Sequence, residues 1–454
     1  MQLTRTSAGI GAALCVLTAN LLTATGASAQ SSADNPGGAP ELRNAYDRPA
    51  LELGTTTIDT AVLYYDESGN RVRAIEPMVA LTSNRLNGDV LTAKVTFDSL
   101  TGATPNGATR WSGRQDFVSP IDNADSATGS SGTIVTNPVT GSAAPGVLPV
   151  DEAFRDHRGA VDLGYSRTIA PDTRLSVGAN GSIEKDYESF SGRLGIAHDL
   201  NNKTTNLSLG VNYEHDKSKP YHGIPVALSS MSGIGNKQTD TKDVVSAVAG
   251  VTQILRPNWL VQLNYSFGST KGYQTDPYRI LSLLDPTTGG PLDYLYESRP
   301  RSRTRHAVYA ATKLALGSFV TDASARYTHD SWGIDSITAE IAEHVPIGSR
   351  AYIEPRFRYY HQTKADFFRY FLLAGDNLPQ FASSDSRLDQ FDSITAGATA
   401  GYQINDRFEI YANGAAYRQN KSGGYGTVPA GLAGQKLFTG ADAVIAMVGV
   451  KVKL

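Results

Sequence analysis

Between Phe319 and Gln362 the chain spaces six ionisable residues so that a two-residue period turns them all to one side. They are Arg326 and Asp330, then Glu340, then Glu354, Arg356 and Arg358. Three guanidiniums that keep their charge at any physiological pH, set against three carboxylates, offer two kinds of chemistry. In a water-filled passage they would form a charged constriction that selects anions or organic acids. In a filled interior they would form a salt-bridge network, since a buried charge left unpaired costs several kcal/mol. Both readings stay open at this point, and both require that the six residues share one wall.

Other chemistry is less well supported. His329, His344 and His361, with Asp330, suggest a metal site, but alternation turns His329 and His361 away from that wall and leaves His344 near the opposite strand end. They cannot share one ion, so no metal ligand is assigned. Ser, His and Asp are all present, as a membrane-embedded hydrolase would need, yet no spacing singles out a triad. The glycines of "GIGNK", "TTGGP" and "SGGYG" follow no strand and open no helix, which removes a phosphate-binding loop. The expectation is therefore no catalytic residue, no cofactor and no enzyme.

Positioning the six residues requires strands, and the chain supplies them. Segments of about 9 to 14 residues alternate apolar and polar positions, the signature of a sheet with unlike faces. In "LTAKVTFDS" Leu91, Ala93, Val95 and Phe97 share one face. In "TNLSLGVNYE" Leu207, Leu209, Val211 and Tyr213 do, and in "WLVQLNYSF" Trp259, Val261, Leu263, Tyr265 and Phe267 do. The last segment, "VIAMVGVKVKL", sets Val444, Val448, Val450 and Leu454 against Met447, Lys451 and Lys453. Such a strand closes a barrel whose outside is lipid, with its lysines turned to the lumen or the rim.

The connections alternate as well. "SNRLNGD", "APDT", "DLNNKTT", "RPNW", "VPIGS" and "INDR" are short. A second set is mostly long, near 99–151, 216–240, 272–302, 363–388 and 418–438. Counting between them gives about sixteen strands, with both chain ends on the short-turn side. The expected fold is all-β: a transmembrane antiparallel up-and-down β-barrel of about 16 strands, over 56–454, with long extracellular loops and short periplasmic turns. Closure has a physical reason, because lipid offers backbone amides no partner. Aromatics fit two interfaces, with Trp259, Tyr402 and Phe408 beside short turns and Tyr64, Tyr213, Tyr327 and Trp332 at the far ends. Pro355 cannot donate to a ladder and predicts a bulge or register adjustment. Leu454 stands where such barrels usually end on an aromatic. "DPYRILSLLDP", with its aliphatics, is expected to pack against the barrel mouth or a partner.

The 454 residues carry a formal net charge of −3, and loss of Arg5 with a leader makes it −4. Without a basic block, nucleic acid is not an expected partner. Residues 1–29 read as a signal peptide: Arg5, the apolar "GIGAALCVLTANLL", then "ASA" before Gln30. The sole cysteine, Cys15, lies within it. Residues 30–55, rich in Pro and Gly, read as a flexible periplasmic lead-in.

Seven stretches carry a resemblance: "YYDESGNRV" (64–72), "FDSLTGATPNGA" (97–108), "DPYR" (276–279), "ESRPRSRTRH" (297–306), "RYTHDSWGI" (326–334), "RFRYYHQTKADFF" (356–368) and "SSDSRLDQF" (383–391). Together they resemble a bacterial family of outer-membrane β-barrels that is a domain of unknown function. The chain is also distantly similar to the porin-type barrels that sheathe multihaem cytochromes. The resemblance implies location and architecture, namely the Gram-negative outer membrane, with its lipid and assembly machinery as partners. It carries over no site residues. The leading expectation is a channel or transport pore for small polar or anionic solutes. The alternative is a structural or secretion barrel that sheathes or anchors an exported or periplasmic partner protein.

Overall fold

The computed structural model describes residues 54–118, 139–233 and 237–454. The leader read over 1–29 lies outside the described residues, as does nearly all of the lead-in read over 30–55. In chain order the strands begin with β1 (Thr55–Glu67), β2 (Arg73–Asn84), β3 (Val90–Pro105), β4 (Gln115–Val118), β5 (Val139–Ala143), β6 (Val150–Ala170) and β7 (Thr173–Glu184). Next come β8 (Tyr187–Leu200), β9 (Thr205–Ser218), β10 (Asp240–Arg256), β11 (Trp259–Gly272), β12 (Ile280–Leu284), β13 (Pro291–Tyr296) and β14 (Ser302–Leu316). The last seven are β15 (Phe319–Asp330), β16 (Asp335–Ile347), β17 (Ala351–Gln362), β18 (Leu372–Leu373), β19 (Phe391–Gln403), β20 (Phe408–Lys421) and β21 (Asp442–Lys453).

Sixteen of these close into one antiparallel barrel, in the order β1-β2-β3-β6-β7-β8-β9-β10-β11-β14-β15-β16-β17-β19-β20-β21. The seam is β1 on β21, with Thr57 opposite Lys453 and Glu67 opposite Ala443. The terminal strand thus caps the amides of the first, and no edge is left. Every barrel strand has at least 12 residues, more than the 9–11 needed to cross a bilayer. The fold is all-β, and among the described residues no helix is long and apolar enough to cross a membrane.

Alternation sorts the two faces. Val95, Phe97, Leu209, Val211, Leu263, Val444 and Val448 are exposed on the outside, whereas Thr92, Thr96, Asn212, Asn264 and Met447 are buried inside. Val450 points out and Lys451 points in, 3.9 Å from Glu409. At one end seven turns are short. The seventh, Gly317–Ser318 between β14 and β15, is a two-residue turn that Gly317 enters at φ +65°, and it carries no proline or asparagine to announce it. At the other end sit the long connections. Strands β3 and β6 run on to Pro105 and from Val150, so the connection near 99–151 is shorter than its sequence suggests.

Two expectations change. Pro355 makes no bulge: β16 and β17 keep one register from Ala342↔Arg356 to Val345↔Ile353, and Pro355 lies in the unpaired step between them. The missing N–H falls where the ladder makes no bond. Trp332 is not a lipid-interface ring. Its turn carries it inward, where Arg303 lies 4.2 Å from the ring centre and Phe367 packs edge-on at 5.1 Å.

Candidate functional site: a charged lumen wall beneath a packed mouth

Strands β15, β16 and β17 are consecutive neighbours, so residues of matching parity share their inner face. Register places Glu340 opposite Arg358 and Ala342 opposite Arg356. Arg356 reaches Glu340 at 3.1 Å and Glu354 at 3.4 Å, and Arg358 lies 3.8 Å from Glu340. His344 approaches Glu354 at 3.6 Å. Arg326 lies 5.2 Å from the centre of the Tyr309 ring on β14 and adds its field to Glu340. Five of the six predicted residues therefore gather, and Asp322 of β15, 3.7 Å from Lys313 of β14, adds its field to the same Glu340, so that four cations stand against three carboxylates and the wall keeps an excess of one positive charge. Arg358 and Glu354 are buried; the side chain of Arg356 is the more open, at 19%.

Asp330 stands apart at the long-loop end. Its carboxylate pairs with Arg303 at 2.6 Å and accepts the backbone N–H groups of Trp332 and Ile334. It closes a turn rather than facing the arginine trio.

Above the wall, the long connections fold onto one another. Strands β12, β13 and β18 form a small sheet, and β4 pairs with β5. Leu284, Leu432 and Leu437 are buried with Trp111, Phe371 and Tyr425 around them, so four separate connections share one apolar core. The aliphatics of "DPYRILSLLDP" pack here, with Leu281 and Leu284 almost fully buried. A second knot is ionic. Arg299 binds Glu297 at 2.6 Å and Asp385 at 2.8 Å; Arg387 reaches the same Asp385 at 2.5 Å. Arg279 lies 3.7 Å from Asp385 and 3.8 Å from Asp276. Glu297 also accepts the Asp276 backbone N–H at 2.6 Å and the Ser383 hydroxyl at 2.5 Å. Burial would push the Asp385 carboxyl up, but Arg279, Arg387 and Arg299 hold it well below the usual carboxylate range.

Sequence reasoning missed this network, although "DPYR", "ESRPR" and "SSDSR" had been noticed as stretches. The signal was the repeated placing of Arg within three residues of Asp or Glu, in Asp276/Arg279, Glu297/Arg299 and Asp385/Arg387.

Apart from His344, the histidines considered for a metal lie elsewhere. His329 and His361 face outward near the long-loop end, paired with Asp335 at 2.9 Å and Asp392 at 2.8 Å. Tyrosine, not serine, completes each pair, and its hydroxyl binds the aspartate rather than the imidazole. Among the described residues no three His, Cys, Asp or Glu side chains converge as a metal set.

A family profile described as "Protein of unknown function (DUF3570)" matches residues 31–452. The chain belongs to the DUF3570 family. Curated proteins offer no match to this DUF3570 protein. Among solved structures, a mutant ferric enterobactin receptor from Pseudomonas aeruginosa aligns at 10% identity and a TM-score of 0.41, covering 82% of this chain. The alignment spans only 54% of that receptor. OccK3 (OpdO) from Pseudomonas aeruginosa aligns at 10% identity and a TM-score of 0.38, over 90% of this chain and 99% of its own. A bacterial polysaccharide outer membrane secretin aligns at 10% identity and a TM-score of 0.41, over 88% of this chain and 98% of its own.

Proposed function

We propose that this DUF3570 protein resides in the bacterial outer membrane as a channel for small polar or anionic solutes. The closed barrel with an apolar outside supports the location, since only such a surface is stable in hydrocarbon. The observation that carries the solute class is the β14–β17 wall, where Lys313, Arg326, Arg356 and Arg358 face Asp322, Glu340 and Glu354 and Arg356 stays partly open to the lumen. A fixed positive excess in a confined, water-filled passage raises the local anion concentration. The reading involves no catalytic step.

The test is single-channel conductance of the refolded protein in a planar bilayer under a salt gradient. Stable steps with an anion-selective reversal potential are expected. Silence from a demonstrably folded barrel would overturn the channel. One observation favours a second reading, a barrel that holds or sheathes an exported partner: the four connections packed together at the mouth. Under that reading the folded barrel stays silent until the mouth is loosened by substitution.

A further inference from the structure

On the outer face, near the long-loop end, one arrangement occurs three times. On β9, Tyr213 and His215 both bind the Asp243 carboxylate of β10, at 2.7 and 2.8 Å. On β15, Tyr327 and His329 bind Asp335 of β16, at 2.6 and 2.9 Å. On β17, Tyr359 and His361 bind Asp392 of β19, at 2.6 and 2.8 Å. In each case the tyrosine precedes the histidine by two residues, and the aspartate lies directly opposite the histidine. His329 and His361 sit one residue before their strand ends, and His215 three before. The His215 and His329 side chains are open, at 48% and 55%, and His361 is half-buried at 32%.

Each aspartate oxygen receives both a phenol O–H and the imidazole Nδ1–H. Its charge is thereby taken up within the cluster, and Nε2 is left outside the cluster's bonds. An imidazolium held by the carboxylate through Nδ1–H keeps its second N–H for an anion outside. The neighbouring outward charges include cations, two of them set opposite acids across strands, Lys217 opposite Glu188 and Arg418 opposite Asp442. Lys217 lies two residues beyond His215, and Lys271 stands opposite Asp243. His306 stands opposite His329, while Asn420 faces Asp392 and Arg418 lies one outward step further along β20. On β1 and β2 a permanent cation takes the imidazole's place: Arg73 binds Asp66 at 3.1 Å and covers Tyr64.

We propose that these Tyr–His–Asp clusters form a girdle that binds the phosphate groups of outer-leaflet glycolipid through Nε2–H. The proposal rests on the outer-membrane reading, with the long-loop end outward. The ring anchors at the interface, the aspartate orients the imidazole, and the imidazolium donates to phosphate.

The test reconstitutes the protein into phosphatidylcholine vesicles holding bisphosphorylated or dephosphorylated lipid A, followed by mild extraction and native mass spectrometry of retained lipid. The variant combines His215→Asn, His329→Asn and His361→Asn, because Asn keeps a donor at the Nδ1 position and lacks Nε2. Wild type is expected to retain the phosphorylated lipid, and the variant to need about tenfold more of it for the same retention, as loss of a charge-assisted hydrogen bond implies. Equal retention by variant and wild type would overturn the girdle, as would equal retention of the two lipids by wild type, and either leaves the outer-membrane reading intact. Failure of the wild-type chain to insert as a closed barrel in any vesicle would overturn that reading and the girdle with it.

Discussion

Arg299 and Asp385, 86 positions apart in sequence, meet at 2.8 Å, each almost fully buried above the barrel. The contact joins the β13–β14 connection to the β18–β19 connection, and Glu297, Asp276, Arg279 and Arg387 complete it. Buried pairs of this kind rarely add much net stability over an apolar core, but breaking one side leaves charges stranded. The mouth is therefore held in one arrangement by a knot that tolerates little loosening.

Asp385→Asn should free the two connections while leaving the barrel closed. Three guanidiniums lose their shared carboxylate, at a cost of about 3–5 kcal/mol confined to the mouth. Proteolysis within 273–301 and 363–390 should become fast, with the heat-modifiable mobility of the barrel unchanged; wild-type protection would refute the knot. Acid should act the same way. Asp385 titrates well below the about 3.9 expected of an unfolded aspartate, so its contribution is full above that value and is lost as pH falls through its depressed one. Cleavage at neutral and at mildly acidic pH should be equally slow, and should rise only under stronger acid.

If the β14–β17 wall lines a conducting lumen, Arg356 sets its sign. Arg356→Gln turns four cations against three anions into an even balance, and adding Arg358→Gln leaves the anions in excess. Reversal potentials should step toward cation preference with each change. Unchanged potentials in the double variant would exclude the wall from the conduction path.

How far these features can be read in the sequence depends on the period that carries them. The barrel was legible because a two-residue alternation repeats along strands such as β9 and β21, and lipid tolerates few exceptions on one face. That parity also placed Arg326, Glu340, Glu354, Arg356 and Arg358 on the inner face, where neighbouring register brings them together. Trp332 was misjudged because it belongs to a turn that bends inward, where strand parity stops applying; Asp330, the last residue of β15, faces inward as parity requires but lies at the long-loop end, where Arg303 takes it. The Arg299–Asp385 knot has no period at all, since it is fixed by how two connections pack. The three Tyr-x-His spacings were visible as letters, but their aspartates lie on neighbouring strands and only register reveals them.

Close approach by glycine makes another prediction. The Tyr411 ring lies across Gly449 on the next strand, so that a Cβ there would sit 2.2 Å from it, and the Tyr411 hydroxyl donates to Asp59 at 2.6 Å. A ring laid over a glycine is a recognised way to fill the gap in a sheet. Gly449→Val should push the ring off, break its bond to Asp59 and destabilise the β1–β21 seam by about 1–3 kcal/mol. Urea unfolding in detergent should show the loss. Tyr411→Phe separates the terms, since it keeps the ring and removes only the hydrogen bond; if both variants unfold as wild type does, the ring is not holding the seam.

The outer face of β21 offers the strictest check on orientation. Val450 lies opposite Thr60 and Ile410 and points away from the lumen, whereas the adjacent Lys451 turns inward toward Glu409. Arginine at an outward mid-membrane position costs about 2–4 kcal/mol in such barrels, because its charge must be dragged to an interface or hydrated within hydrocarbon. On a closing strand that cost falls on the step that seals the sheet. Val450→Arg should therefore leave the chain unfolded or trapped before closure, while Lys451→Arg, one residue away with the same new side chain, should assemble normally. The heat-modifiable fraction after refolding into vesicles measures both. Normal closure of Val450→Arg together with failure of Lys451→Arg would invert the two faces, and the lumen wall with them.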